Sequence, residues 1–271
     1  SDNASVACGT TNDCKSGQSC TKGVCVQVPG QCIESYRGNT PTLDIHIFGY
    51  GLTEEELDKY ARQVFSQMLN VEPFGKYVDV YHVKYNVMSG IAPTSSNFQM
   101  QKLDKFNCFG DQADIVAIVD NRAFRSYASF TGTMYLSYKA INLEYLFLHE
   151  FGHAFGKLGD EYTEPGPVSA SDKFKGFTQR IFNAPKGINC GPPREKKSQW
   201  SKMGFTTLAD SAQANGWYGC GGQYCKTGIC KSYIRPSYNS IMRDYFKADG
   251  KYFNAVSEYV LNKKLRQFVK G

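Results

Sequence analysis

Apolar residues recur along the chain with the spacing of strands. Residues 43–48 alternate between apolar and polar side chains and predict a half-buried strand, and residues 78–87 predict a second strand. Residues 114–120 contain a continuous apolar run, which is typical of a central strand covered on both faces. Residues 130–138 alternate again. A sheet of at least these four strands is therefore expected.

Helical spacing appears in three segments. Thr53 and Glu56 form a capping box, and the apolar residues that follow fall on one face of a helix packed on the sheet. Residues 143–155 are apolar nearly all round, with Asn142 as the predicted N-cap. That pattern is typical of a helix buried in the centre of a domain. Residues 253–268 predict an amphipathic helix near the C-terminus.

The cysteine content predicts the cellular compartment of the protein and a domain boundary. Ten cysteines, an even number, predict five disulfides and an oxidising compartment, so an extracellular or cell-surface protein is expected. Residues 1–30 have almost no large apolar side chains and predict a separate module held by two disulfides among Cys8, Cys14, Cys20 and Cys25. A small zinc knuckle is the alternative, but the module lacks histidine and a Cys-x-x-Cys pair. Residues 31–271 then form the main domain.

The remaining cysteines belong to the main domain. Four of them are expected to staple its second half: Cys190, Cys220, Cys225 and Cys230. Elimination pairs Cys32 with Cys108. Zinc binding by Cys220, Cys225 and Cys230 is the alternative, which their even spacing and the oxidising setting disfavour. The Pro-, Gly-, Ser- and Lys-rich residues 163–197 predict an irregular segment that shapes a cleft or lid.

Charge and hydropathy exclude two classes of protein. The net charge of +6 is modest for 271 residues, and the basic runs at 194–197 and 263–266 are interpreted as solvated faces, so no nucleic-acid partner is expected. No run of about 18 apolar residues occurs, so no transmembrane segment is expected. His46 lacks a partner at ligand spacing, and both it and His82 are interpreted as structural strand residues.

The other two histidines lie in the predicted buried helix, in the pattern His149-Glu150-Phe151-Gly152-His153. Residues four apart share one helical face, so both imidazoles can reach one zinc ion. Glu150 is placed to reach a water on that ion without binding the ion itself. The alternative is a chance match on a surface helix, which the apolar residues just before the motif disfavour.

A catalytic zinc ion usually takes three protein ligands. Gly156 and Gly159 are expected to break the helix and turn the chain back, so that Asp160 or Glu161 supplies the third ligand. Asp160 is preferred and Glu161 is the alternative. A third interpretation is that both carboxylates only cap or salt-bridge the turn.

The run Leu158-Gly159-Asp160-Glu161-Tyr162 resembles the zinc motif of the IgA-peptidase family of metalloendopeptidases, which is metzincin-like. Many metzincins have a histidine six residues after the second histidine of the motif. This chain has Gly159 there and Asp160 one residue later, a departure that fits the IgA-peptidase pattern better.

Residues 234–243 resemble the methionine turn of metzincins, with Met242 beneath the zinc. The resemblance implies an α+β fold with a mixed twisted sheet, an antiparallel edge strand, an active-site helix and a C-terminal helix. It assigns Thr133–Ser137 to the antiparallel edge above the cleft, where an extended substrate adds as a further strand. An ordinary edge hairpin is the alternative.

The predicted function is zinc-dependent hydrolysis of peptide bonds in protein substrates. His149, His153 and Asp160 would bind Zn²⁺, and Glu150 would act as general base and acid. Tyr245 is a candidate donor to the oxyanion, as is Arg243, although several metzincins have tyrosine where this chain has Asp244. The alternatives are an extracellular binding or adhesion protein with a structural zinc, and a hydrolase of another amide or ester.

Overall fold

The computed structural model describes residues 9–10, 18–21, 24–27, 32–88, 92, 113–129, 131–163, 187–222, 229–247 and 250–269. It has an α+β fold. Its strands are β1 (Gln18–Thr21), β2 (Val24–Gln27), β3 (Ile33–Arg37), β4 (Leu43–Tyr50), β5 (Tyr81–Met88), β6 (Ile115–Asp120), β7 (Tyr127–Ala128) and β8 (Thr133–Ser137). Its α-helices are α1 (Glu54–Leu69), α2 (Leu143–Ala154), α3 (Pro193–Lys202), α4 (Leu208–Ala214), α5 (Ile241–Asp244) and α6 (Ala255–Val269).

Six strands form one mixed sheet in the order β3-β5-β4-β6-β8-β7. The four inner strands β5, β4, β6 and β8 are parallel, and β3 and β7 add antiparallel strands at the two edges. The prediction of a covered central strand at residues 114–120 is confirmed, because all six residues of β6 are buried. Residues 78–80, predicted as strand, instead end a 3-10 helix, Phe74–Val80.

The assignment of Thr133–Ser137 to the antiparallel edge is wrong. This strand, β8, pairs in parallel with β6 and lies one position inside the sheet. The antiparallel edge is the two-residue strand β7, which pairs with β8 from Tyr127 to Ala128. The assignment came from the resemblance alone, because alternation shows that a segment is a strand but contains no information about its neighbour's direction.

Alternate residues of the strands build two apolar layers. Leu43, Ile45 and Ile47 of β4 join side chains of α1, α2 and α6 in the main core, whereas Phe48 and Tyr50 belong to a second cluster on the opposite face. The capping box of Thr53 and Glu56 is confirmed at the start of α1. The main core therefore holds α2 against the sheet, with eight of its twelve residues buried.

A third apolar cluster lies just after the segment that was predicted to be irregular, residues 163–197. Helix α3 already begins at Pro193, and its Trp200 is fully buried against α4 and Val256 of α6. The prediction that residues 194–197 form a solvated face is wrong for Lys196, which is fully buried and donates from Nζ to the Gly187 carbonyl over 3.1 Å. Residues 164–186 of the predicted cleft segment lie outside the described residues.

Disulfides are present, as predicted. Cys190 and Cys220 are joined, and Cys20, Cys32 and Cys230 are disulfide-bonded as well. This contradicts zinc binding by Cys220 and Cys230 and a zinc knuckle that includes Cys20. The predicted partner of Cys32, Cys108, lies outside the described residues, as do Cys8, Cys14 and Cys225.

The N-terminal module is described only in part. Strands β1 and β2 form their own antiparallel two-stranded sheet, in which Cys20 is opposite Cys25. The predicted boundary at residue 30 lies between this hairpin and β3, although it falls on residues outside the described ranges. Within the part of the chain that is described, no helix is both long and apolar enough to cross a membrane.

Candidate metal centre

Helix α2 presents the two motif histidines to one point. His149 and His153 lie one turn apart, and their Nε2 atoms are 3.2 Å from each other. Each Nδ1 faces a backbone carbonyl oxygen, that of Ile241 at 2.9 Å and that of Leu158 at 2.6 Å. Because a carbonyl can only accept a hydrogen bond, both rings carry their proton on Nδ1. Both Nε2 atoms are then turned towards Asp160, where a metal ion would take the place of a shared proton.

A tight turn brings the predicted third ligand to the histidines. Helix α2 ends at Ala154, and Lys157, not a glycine, adopts the left-handed conformation that reverses the chain. Asp160 then follows with its Oδ1 3.1 Å from His153 Nε2 and 3.3 Å from His149 Nε2. These three side chains form the one cluster among the described residues that could hold a metal ion.

The donor set fits a small divalent cation. The three donor atoms form a nearly equilateral triangle with edges of 3.1 to 3.3 Å. An ion with tetrahedral bonds of about 2.0–2.1 Å separates its ligand atoms by about 3.3–3.4 Å, so the triangle is close to ready for zinc. Two imidazole nitrogens and one carboxylate oxygen also suit other transition metals, so the donors fix the class of metal and not its identity.

Glu150 supplies a second indication of an ion. The residue is 4% exposed, and its Oε2 has no hydrogen-bond partner among the described residues. Burial raises the pKa of this carboxyl, while the neighbouring His149 and His153 act in the opposite direction. A buried carboxylate oxygen without a partner is costly, and a metal ion with its water would satisfy it.

The charges of the cluster are coupled. Burial disfavours a charged His153, but the hydrogen bond and charge of Asp160 outweigh burial and raise the pKa of His153 to about 9. Burial alone would raise the pKa of Asp160. The hydrogen bonds from His149 and His153 outweigh burial and hold that pKa well below its usual range. Asp160 is therefore ionised across the physiological pH range, as a metal ligand would need to be.

Glu161, the alternative third ligand, points away from the histidines. Its side chain is fully buried and accepts hydrogen bonds from Ser240, Asn189 and Asn254. No described contact joins it to His149 or His153. Between the two adjacent carboxylates, the structure brings Asp160 to the metal centre and leaves Glu161 in the core.

Met242 lies below the helix that carries the histidines. It is fully buried, and a Cβ atom added to Gly152 would lie 2.6 Å from its sulfur. The residue between the two ligands must therefore be small for helix and methionine to meet. The same turn accepts the His149 Nδ1–H at the Ile241 carbonyl and the Glu161 N–H at the Met242 carbonyl. Met242 thus packs against Gly152 of α2, and its place beneath the metal ion stays a prediction.

Two further segments, around Asn189 and Gly221, also hold the backbone near Asp160 by hydrogen bonds. Asn189 donates to the Gly159 carbonyl and accepts from the Gly159 N–H, over 2.9 and 2.8 Å. Gly221 donates to the Asp160 carbonyl over 2.7 Å. The Cys190–Cys220 disulfide joins the two supporting segments. Sequence reasoning found the disulfide segment but not the role of Asn189, for which the chain offers no local signal.

A cleft of about 400 Å³ opens beside the metal centre. It is lined by Phe124, Arg125, Ser126, Ala140, Leu146, His149, Glu150, Tyr162, Arg243, Asp244, Tyr245 and Phe246. The Tyr245 ring lies 5.3 Å from the His149 ring, and burial, with a further contribution from Glu150, raises its pKa to about 12. The candidates Tyr245 and Arg243 thus both face the cleft.

Sequence reasoning missed Arg125 and Tyr162. Arg125 donates to the Tyr162 hydroxyl over 3.0 Å, and the Tyr162 ring is stacked 6.3 Å from that of His149. Tyr162 follows the ligand turn and could have been considered for that reason. Arg125 lies in an irregular connection before β7 and carries no such signal.

No protein-family model matches this chain, and no curated protein sequence matches it either. The residues of the candidate metal centre and the cleft are therefore the basis for the function.

Proposed function

We propose that the protein is a secreted or cell-surface zinc-dependent endopeptidase of the metzincin-like, IgA-peptidase type. The observation that carries the proposal is the triangle of His149, His153 and Asp160 donor atoms beside the buried Glu150 carboxylate, whose Oε2 has no hydrogen-bond partner among the described residues. Three protein ligands leave a coordination position for water, as in catalytic zinc sites. The substrate would be a protein or peptide.

His149, His153 and Asp160 would hold the ion. Once bound, zinc would supply a Lewis acid that polarises the scissile carbonyl and makes a water acidic. Glu150 would take the proton of the attacking water at Oε2 and pass it to the leaving nitrogen. Burial raises the pKa of this carboxyl, which suits a group that must accept a proton and release it again near neutral pH.

Tyr245 would act on the substrate carbonyl from the wall of the cleft. Its pKa of about 12 keeps the hydroxyl protonated at neutral pH, so it can donate a hydrogen bond as negative charge develops on the carbonyl oxygen. The substrate backbone would lie along β7, because residues 124–126 line the cleft just before this edge strand. An edge strand offers free backbone groups to an extended peptide.

A binding or adhesion protein with a structural zinc is the weaker alternative. A structural zinc site is normally closed by four protein ligands, whereas only three ligand side chains come together here among the described residues. Oε2 of the buried Glu150 carboxylate also has no hydrogen bond among the described residues that would give it a structural role.

The test compares the parent chain with Glu150→Gln on an unstructured protein and a diverse peptide library, with bound zinc quantified. We expect cleavage by the parent, loss on chelation, and a fall of roughly 10²–10⁴-fold in Glu150→Gln with zinc still bound. Glu144→Gln, on the same helix but outside the cleft lining, is the control and should cleave like the parent. A parent that binds one zinc ion and cleaves nothing would refute the proposal.

A further inference from the structure

Glu161 is a buried carboxylate that the proposed chemistry does not use. Its Oε2 accepts from the Ser240 hydroxyl over 2.7 Å. Its Oε1 accepts from Asn189 Nδ2 over 2.8 Å and from Asn254 Nδ2 over 2.6 Å. Burial raises the pKa of Glu161, and these three hydrogen bonds act against that rise. Every donor is itself a buried side chain.

The three donors belong to three separate parts of the molecule. Ser240 precedes α5, the turn that contains Met242. Asn189 adjoins the disulfide at Cys190 and also binds both backbone groups of Gly159. Asn254 lies just before α6, and its Oδ1 accepts the N–H of Ser257, as an N-cap does.

The backbone of Glu161 is anchored too. Its N–H donates to the Met242 carbonyl over 2.8 Å, and the Asp160 carbonyl on the same peptide unit accepts from Gly221 over 2.7 Å. That peptide unit is therefore bonded at both of its polar groups. The side chain of Glu161 is fixed as well. The Asp160 backbone therefore has little room to shift, and its side chain can move mainly by rotating about its own bonds.

We propose that Glu161 is a positioning residue, whose buried carboxylate joins the methionine turn, the Asn189 segment and the cap of the last helix and so sets Asp160 as a metal ligand. The inference rests on the proposed metal centre. The two adjacent acidic residues then have different roles, because Asp160 binds the ion and Glu161 holds Asp160 in place. A buried carboxylate is costly to desolvate, and its three donors offset that cost only while all three segments are in place.

Two substitutions of Glu161 distinguish loss of its hydrogen bonds from loss of its negative charge. Glu161→Ala leaves three buried donors without an acceptor. Glu161→Gln keeps one oxygen for the two amide donors, and the Ser240 hydroxyl can rotate to accept from the new amide N–H. Val83→Ala truncates a buried side chain of β5 and serves as the control for a general loss of stability.

The readouts are zinc affinity by chelator competition and the visible spectrum of the cobalt-substituted protein, measured where each variant is folded. We expect zinc affinity about 10–100-fold weaker in Glu161→Ala, with an altered cobalt spectrum, as for other groups that orient metal ligands. Glu161→Gln should regain most of the affinity, and Val83→Ala should bind zinc like the parent. Parent-like affinity in Glu161→Ala, or equal losses in Glu161→Ala and Glu161→Gln, would overturn the inference.

If Glu161→Ala does not fold, Asn254→Ser carries the test. Serine preserves the N-cap of α6 but removes the amide donor to Glu161. A smaller loss of zinc affinity is expected, and an unchanged affinity would overturn the inference. A parent that binds no metal would refute the proposed function and this inference together. A parent that binds zinc but cleaves nothing would refute the peptidase alone.

Discussion

The candidate metal centre has two halves that are built in different ways. The helix half consists of His149, Glu150 and His153, which lie within five consecutive positions of α2 and whose geometry follows from helical spacing. The loop half presents Asp160, whose neighbour Glu161 is bonded to residues up to 93 positions away, such as Asn254. The first half is local in sequence, and the second exists only when distant segments have packed together.

This difference indicates where the centre is vulnerable. Substitutions that leave α2 intact can still remove the third ligand if they loosen the segments around Asp160. Conversely, the helix half should persist whenever the main core holds α2 against the sheet. Measuring zinc affinity together with the free energy of unfolding distinguishes a loosened loop half from a weakened main core.

The largest expected effect comes from removing the disulfide that joins the two supports of the loop half. The double variant Cys190→Ala/Cys220→Ala releases a crosslink between positions 30 apart, which corresponds to about 3–4 kcal/mol of unfolding free energy. Urea unfolding with and without zinc measures both this loss and the stabilisation by zinc. We expect zinc to stabilise the variant less than the parent, because Asn189 and Gly221 are no longer tied together.

Unchanged stabilisation by zinc, despite the lower unfolding free energy, would show that the loop half holds Asp160 without its disulfide. The two halves would then be more alike than their contacts indicate.

A smaller and more local effect is expected from Gly222→Ala. Gly222 has φ +57, and an added Cβ atom would overlap Asp160 Oδ2. Asp160 must then move, so zinc affinity should fall about 10–100-fold, the range for groups that orient ligands. The left-handed backbone adds about 1–2 kcal/mol of destabilisation for alanine. Chelator competition and urea unfolding measure the two effects separately.

Gly216→Ala is the matched control for Gly222→Ala. Gly216 has φ +68, but an added Cβ atom there would meet nothing within 4 Å. It should show the same loss of stability and the zinc affinity of the parent. Equal zinc affinities in the two variants would mean that the position of Asp160 does not limit binding.

The same division explains which features could be predicted from the sequence. The capping box of α1, the buried strand β6 and the helix α2 depend on neighbouring residues, and all three predictions are confirmed. The direction of β8 and the burial of Lys196 depend on partners elsewhere in the chain, and both predictions are wrong. Local patterns do not encode such partners.

The candidate site divides in the same way. His149 and His153 could be placed on one point from their spacing alone. Spacing could not decide between Asp160 and Glu161, because that choice depends on Ser240, Asn189 and Asn254, which surround one carboxylate and not the other.

The two ends of α2 show how local rules can also mislead. Asn142 occupies the predicted cap position, but it has φ 55 and its side chain makes no capping hydrogen bond. At the other end, the predicted breakers were Gly156 and Gly159, whereas the residue with positive φ is Lys157. A lysine in the left-handed conformation is strained, and glycine is not.

The smallest expected effect tests this junction between the two halves. Lys157→Gly relieves backbone strain of about 1–2 kcal/mol and costs about 0.5–1 kcal/mol in chain entropy, so a net gain of roughly 0.5–1 kcal/mol in unfolding free energy is expected. Asn142→Gly is the control, because asparagine tolerates the same conformation and should gain less. Zinc affinity should stay at the parent value in both variants, since the His153 Nδ1 contact is to the Leu158 backbone. A loss of stability in Lys157→Gly would mean that its hydrogen bond to the Ala154 carbonyl outweighs the strain and holds the junction in place.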